Sequence, residues 1–394
     1  MDKIKILAIG DHVTKTGFSR VLEGILTNLP KKDYSVAVLG VNYYGDPHNL
    51  PYRVYPAMTP RYPDPLGMPR VPELVNKEHP DVIFLLSDVW VLNDYLATLK
   101  KTFEKGRPKI ITYFPVDASD HSPQWYKNFD FVDAGVVYTE FGKQVASKAL
   151  PDFDFKIIPH GFDPKIFYKI DAPKSELKKL LFSKDPAFYT DSFVVLNANR
   201  NQPRKKLWIT MEGFKLFSEN KPENVRLYMH CGLRDADIDI GDLAVRLGID
   251  TRLHVSSVVA GPQQVTEERL NLIYNCADVG VNTSSGEGWG LCNFEHGATG
   301  APQVVPDNSA NPELHGDCGV LVPTTMDDIL TGIMTRGSVV RPEDVAEKLE
   351  LLYTNKELYN ELSTKTYEKF NSEKYYWSTI AESWDNLIKE TIVG

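Results

Sequence analysis

The stretch Asn282 to Thr299, N-T-S-S-G-E-G-W-G-L-C-N-F-E-H-G-A-T, sets two carboxylates, Glu287 and Glu295, eight positions apart. Gly288, Trp289, Gly290 and Leu291 lie between them, where a glycine-rich turn meets a segment that opens a helix. Glycines let a backbone approach a ligand closely, and the free N–H groups and dipole of a helix start favour an anion. The spacing first invites an acid-base pair. Carboxylates beside anion-binding amides suggest a site that holds an anion and hydroxyl groups together, against the plainer alternative of two solvated glutamates.

A second constellation is Asn199-Arg200-Asn201-Gln202-Pro203-Arg204-Lys205-Lys206. Four cations stand between a buried strand and a helix start, and a helix N-terminus disfavours positive charge. An anion bridging them would remove the conflict. Arginine suits the forked recognition of phosphate oxygens and lysine adds a point charge.

The elements that must position these groups are legible as apolar runs. Ile4 to Ile9 reads as a strand buried on both faces, followed by a loop and a helix through Val21, Leu22, Ile25 and Leu29 with Ser19 as its N-cap. Strands are expected near 34–41, 82–86, 110–114 and 135–138, then at 193–198, 225–230, 252–256, 278–282 and 303–305, with a helix over 266–276. Their alternation with helices predicts doubly wound parallel sheets. Eight prolines between Pro47 and Pro72 exclude regular helix there. After Val322 the chain is expected to turn helical, over 342–353, 356–369 and a last run through Tyr376, Ile380, Trp384 and Leu387.

At 394 residues the chain has length for two cores. Pro159-His160-Gly161-Phe162-Asp163-Pro164 marks the boundary, giving domains at 1–170 and 171–374 with the helix 375–394 completing the first. With 42% hydrophobic and 25% charged residues the composition is that of a globular protein, and a net charge of -9 with scattered cations argues against nucleic acid as principal partner. Cys231, Cys276, Cys292 and Cys318 show no paired spacing, which favours reduced thiols and a cytoplasmic setting. No run approaches the roughly 18 apolar residues of a membrane span. The N-terminal apolar run is too short for a signal peptide.

Other residues offer chemistry with a plainer alternative beside it. Asp117 follows the strand 110–114, as a catalytic group facing a cleft or as the cap of the next turn; His121 is a second candidate there. Gly17 either lets the first loop close over a ligand or makes a helix-entry turn. His160 reaches a ligand or serves as a hinge bonded to backbone. Val255 and Ser256, in the segment 255–259 that leaves a strand, are where a base could be held by backbone groups. Asp235-x-Asp237-x-Asp239 is most simply a solvated acidic turn, and no cluster has metal-ligand spacing.

Taken together, Pro159-His160-Gly161-Phe162-Asp163, Asn199-Arg200 through Arg204-Lys205, and Glu287-Gly288-Trp289-Gly290-Leu291 to Glu295 resemble the retaining glycosyltransferases of family 4, including mannosyltransferase-like members. The order of elements agrees over nearly the whole chain. The two glutamates with seven residues between them, and Gly-aromatic-Gly-Leu inside, form the most specific motif. The resemblance implies a GT-B fold: two Rossmann-like domains facing a cleft, with the last helix crossing back to the first. It implies transfer of a hexose from a nucleotide sugar to a hydroxyl of a glycan or other acceptor, without a metal. Arg200, Arg204 and Lys205 would hold the diphosphate, helped by the N–H groups of Gly290 and Leu291. Glu287, with backbone at Gly288 and Trp289, would bond the sugar hydroxyls, and Glu295 the ribose. Arg200, Lys205 and Glu287 would act in catalysis, and Gly17 would belong to a loop closing on the phosphates. Many family members place a histidine where this chain has Asp117, so Asp117 would either orient the acceptor or take its proton, or that role is unassigned.

The basic loop resembles those of mannosyltransferase-like members, which favours GDP-mannose as donor, with UDP-glucose second. The rival readings are a nucleotide-sugar epimerase or hydrolase and a sugar-nucleotide-binding protein without activity. Lys100, Lys101, Lys105 and Lys109, beside a helix with Leu92, Leu96 and Leu99, raise peripheral membrane contact.

Overall fold

The computed structural model describes residues 2–14, 16–103, 106–182, 189–257 and 265–394. The chain forms two compact units: Met1–Val116 with Asp120–Asp163 and Glu373–Gly394, and Asp117–Ser119 with Pro164–Ser372.

The first unit carries strands β1 (Ile4–Asp11), β2 (Tyr34–Val41), β3 (Arg53–Pro56), β4 (Val82–Leu86), β5 (Lys109–Phe114), β6 (Ala134–Val137) and β7 (Lys156–Ile157). They form one parallel sheet in the order β3-β2-β1-β4-β5-β6-β7. The inner strands are continuous apolar runs because helices cover both faces, as every residue of β4 being buried illustrates. The helix Gly17–Asn28 is capped by Thr16, whose hydroxyl accepts from the Ser19 amide, so Thr16 takes the capping place expected of Ser19. The proline-rich segment holds the edge strand β3, and helix resumes at Val71 with proline in its first turn, where a missing N–H costs nothing. The last helix, Trp377–Val393, belongs to this unit. Trp384 packs edge-on against Phe84 and Tyr113 at 5.0 and 4.8 Å, and the Tyr34 hydroxyl donates to Asp385 at 2.6 Å.

The second unit carries β8 (Phe193–Asn197), β9 (Val225–Gly232), β10 (Leu253–Ser257), β11 (Val279–Val281), β12 (Gln303–Pro306) and β13 (Val320–Val322). These too form a parallel sheet, in the order β10-β9-β8-β11-β12-β13. The chain does not turn directly helical after Val322. An antiparallel hairpin, β14 (Thr324–Leu330) and β15 (Thr335–Val340), comes first, and then the helices Pro342–Thr354 and Lys356–Phe370. The period-2 pattern of the hairpin is broken by exposed Met326 and a register shift beside it, which hides it in the sequence.

Burial holds the imidazoles of His160, His296 and His315 neutral, each pushed down to about 3. The folded form therefore binds fewer protons than the unfolded chain between about pH 3 and the unfolded value near 6.5. The stabilisation from each is complete above about 6.5 and is lost as pH falls, at about 1.4 kcal/mol per pH unit. Denaturant midpoints are expected to be level from pH 7 to 8 and to drop steadily below about 6. Neither ring nitrogen of His315 has a hydrogen-bond partner among the described residues. His315→Phe is thus expected to flatten the acid limb without loss at pH 7, and an unchanged slope would count against the assignment.

Candidate functional site

In the second sheet the strand order reverses between β8 and β11, which lie side by side although 80 residues of chain separate Asn197 from Asp278. Such a reversal opens a crevice beyond the carboxyl ends of the strands. The loops that leave those two ends are the basic stretch 198–206 and the glycine turn 282–290. They are joined by backbone: the Ser285 amide donates to the Arg204 carbonyl at 2.9 Å. The Thr283 hydroxyl lies 3.2 and 3.0 Å from the carbonyls of Lys205 and Lys206 and 2.8 Å from Thr210, which the Asn197 amide also reaches.

The fold brings Arg204, Lys205 and Glu287 together. Lys205 Nζ is 2.5 Å from Glu287 Oε1, and Arg204 Nη1 is 3.3 Å from Oε2 and donates to the Gly286 carbonyl. Asn282 Nδ2 donates to Glu287 Oε1 at 3.1 Å and to Asn293 Oδ1 at 3.0 Å, and Asn293 continues to Gln303 at 2.9 Å. Glu287 is only 4% exposed. Burial alone would raise its carboxyl, but Lys205 and Arg204 outweigh it and hold the group down to about 2.

The other cations have partners of their own. Arg200 forks onto Asp235 at 2.6 and 3.1 Å, apart from the Glu287 cluster, and Lys206 pairs with Asp328 of β14 at 3.0 Å. Arg204 Nη2 lies 3.2 Å from Asp117 Oδ2. The chain's own carboxylates therefore supply the counter-charge that the sequence reading assigned to a ligand. Of Asp235-x-Asp237-x-Asp239, Asp235 holds Arg200 and Asp239 caps the helix Ile240–Leu247 and pairs with Arg234, while Asp237 is exposed as a solvated turn residue would be.

The turn closes on Gly290, whose φ of +81° lies where side chains are strained. It begins the helix Leu291–Ala298 without a side-chain cap. Gly290, Leu291 and Cys292 are half-buried while both flanks are buried, so the helix start is the accessible part of the stretch. The Glu287 amide donates to Ser309 Oγ at 2.8 Å. Trp289 is buried against Phe294 at 5.4 Å, and Gly288 is buried beside it. Glu295 is 1% exposed, and the Tyr274 hydroxyl donates to its Oε2 at 3.1 Å. A Cβ on Gly286 would stand 2.0 Å from the Asp117 carbonyl oxygen, so only glycine permits that approach.

No protein-family model matches the chain. Mannosylfructose-phosphate synthase of Agrobacterium fabrum is 29% identical over 157 residues, which is 38% of this chain and about a third (32%) of that relative's length. Among solved structures, sucrose-phosphate synthase from Thermosynechococcus elongatus superposes with a TM-score of 0.75 at 15% identity over 100% of both chains. Anabaena HepE in complex with UDP and glucose gives 0.70 at 15% identity over 98% of this chain and 100% of that one. The chain has the GT-B fold.

Within this GT-B chain the remaining candidates lie as follows. Gly17 opens the first helix, and its loop is tied by the Thr16 hydroxyl donating to Asp11 at 3.1 Å. Val255 and Ser256 are on β10, the sheet's edge, with Ser256 Oγ within 2.6 Å of His230 and 3.0 Å of Tyr228. Val258, Val259 and Lys105 lie outside the described residues. His121 Nδ1 is 2.8 Å from the Tyr126 hydroxyl and packs on Trp125, and burial lowers it to about 4. His160 is bonded to the Tyr113 side chain at 2.8 Å rather than to backbone alone. Lys100 and Lys109 pair with Asp130 and Asp133. Among the described residues no group of metal-binding side chains is found, and no helix is long and apolar enough to cross a membrane. Sequence reasoning missed Ser309, Asn293 and Asp328, whose partners are set only by the folded chain.

Proposed function

We propose that the chain is a glycosyltransferase that moves a hexose from a nucleotide sugar to a hydroxyl of a glycan or other acceptor, with retention and without a metal. The observation that carries this reading is the juxtaposition of Arg204 and Lys205 with buried Glu287 and the half-buried helix start at Gly290, beyond the adjacent ends of β8 and β11. Breaking a sugar–phosphate bond develops negative charge on the diphosphate. In this reading Lys205, Arg204 and the amides of Gly290 and Leu291 would stabilise that charge, and Arg200 lies on the same loop. Glu287, with backbone at Gly288 and Trp289, would take the sugar hydroxyls and Glu295 the ribose. Val255 and Ser256 would border the base. Retention follows when the acceptor attacks from the face the nucleotide leaves, with the departing phosphate oxygen accepting the proton.

The basic loop favours GDP-mannose, while the likeness to HepE, solved with UDP and glucose, favours UDP-glucose. The four free cysteines support a reducing, cytoplasmic setting. Thermal shift against a panel of nucleotide sugars selects the donor, since ligand raises stability with affinity and concentration. Nucleotide release is then followed with and without hydroxyl acceptors, and the product anomer is read by NMR. Release that needs an acceptor and gives a retained anomer is expected. Release to water alone would make the chain a hydrolase, and no stabilisation by any nucleotide sugar would remove the proposal.

A further inference from the structure

We infer that Asp117 occupies the seat of the donor's anion on Arg204 and is displaced when the diphosphate binds. This rests on the donor site proposed above. Arg204 has two unlike edges. Nη1 faces inward, to the Gly286 carbonyl, Ser284 Oγ at 3.4 Å and Glu287 Oε2 at 3.3 Å. Nη2 meets Asp117 Oδ2 at 3.2 Å. The inner carboxylate is 5% exposed and tied to Lys205 and Asn282, whereas the side chains of Asp117 and Arg204 are 29% and 26% exposed. A guanidinium anchored through one edge offers the other to an oxyanion, and here that edge is filled by the more accessible carboxylate.

The backbone around Asp117 is held independently of its side chain. Ser119 and Arg336 of β15 exchange two backbone hydrogen bonds, at 2.9 and 3.0 Å, and the Asp117 carbonyl rests on Gly286. The carboxylate can therefore swing away by side-chain rotation while its loop stays docked. Two like charges would otherwise compete for one guanidinium edge, so the diphosphate and the Asp117 carboxylate bind Arg204 in exchange. Entry of the donor then frees Asp117.

The test is calorimetric titration of UDP, GDP and inorganic pyrophosphate into the full chain. Asp117→Asn and Asp117→Ala are expected to tighten whichever of these the wild type binds by about three- to tenfold. Asp154→Asn, which removes the same charge in the first unit, is expected to change nothing. In an Arg204→Ala background the gain from Asp117→Asn is expected to vanish. Weaker or unaltered binding by both Asp117 variants, or an equal gain from Asp154→Asn, overturns the inference and leaves the proposed function standing. A wild-type chain that binds none of the three overturns both.

Discussion

Truncation of Lys205 to alanine is expected to lower transfer turnover by about a hundred- to a thousandfold, and nucleotide affinity by less, because preorganised charge counts most where charge develops in the transition state. The same change leaves the buried Glu287 carboxylate with Arg204 and Asn282 as its partners among the described residues. Removing one member of a buried pair costs about 3–5 kcal/mol, so part of any loss of activity would come from destabilisation. The pH window separates the two. Glu287, held at about 2 against an unfolded value near 4.3, adds stability above about pH 4.3 that is lost as pH falls toward about 2. Without Lys205 that acid tolerance is expected to shrink. Adding Glu287→Gln to Lys205→Ala removes the orphaned charge and is expected to restore stability but not turnover. If the double variant regains turnover, neither Lys205 nor Glu287 has the role proposed for it. The measurements are initial rates with donor saturating and denaturant unfolding from pH 3 to 8.

Inner parallel strands such as 82–86 and 193–197 were legible because both their faces are buried, which writes them as continuous apolar runs, whereas the more exposed edge strands 53–56 and 320–322 were not. The two loops of the candidate site could be found for the same reason, since each follows such a run. Their electrostatics could not. Arg200, Lys205 and Lys206 meet Asp235, Glu287 and Asp328 across 35, 82 and 122 residues, separations over which no sequence pattern says who pairs with whom. The cations therefore read as a bare basic loop awaiting an anion, although the fold neutralises them internally. The hairpin 324–340 was hidden because its alternation is interrupted by exposed apolar residues and a bulge between Thr324 and Met326. Thr16 and Ser19 both suit an N-cap, and only geometry chose between them.

A comparable loss of stability is expected at Asp278, at the amino end of β11, the strand whose other end carries the glycine turn. Its Oδ2 accepts from the Val194 amide and from Lys178 Nζ, each at 2.8 Å, and its Oδ1 lies 3.4 Å from Lys174. The carboxylate thereby ties β8, β11 and the helix Lys174–Leu181. Burial pushes this carboxyl up, but Lys174, Lys178 and the Val194 amide together hold it below the usual range. Its stabilisation is thus present above an unfolded value near 3.9 and fades in stronger acid. Asp278→Ala strands the Lys178 ammonium, which is 3% exposed, and is expected to cost about 3–5 kcal/mol, lowering Tm by on the order of 10 °C. Asp278→Asn keeps an acceptor for Val194, and combined with Lys178→Met it removes both charges, so this pair is expected to recover most of the loss. Nucleotide affinity of the folded double variant should match the wild type, because the site lies at the opposite end of the strand. A loss below about 1 kcal/mol for Asp278→Ala would mean that water reaches the pair and that the tie is a surface ion pair in its energetics.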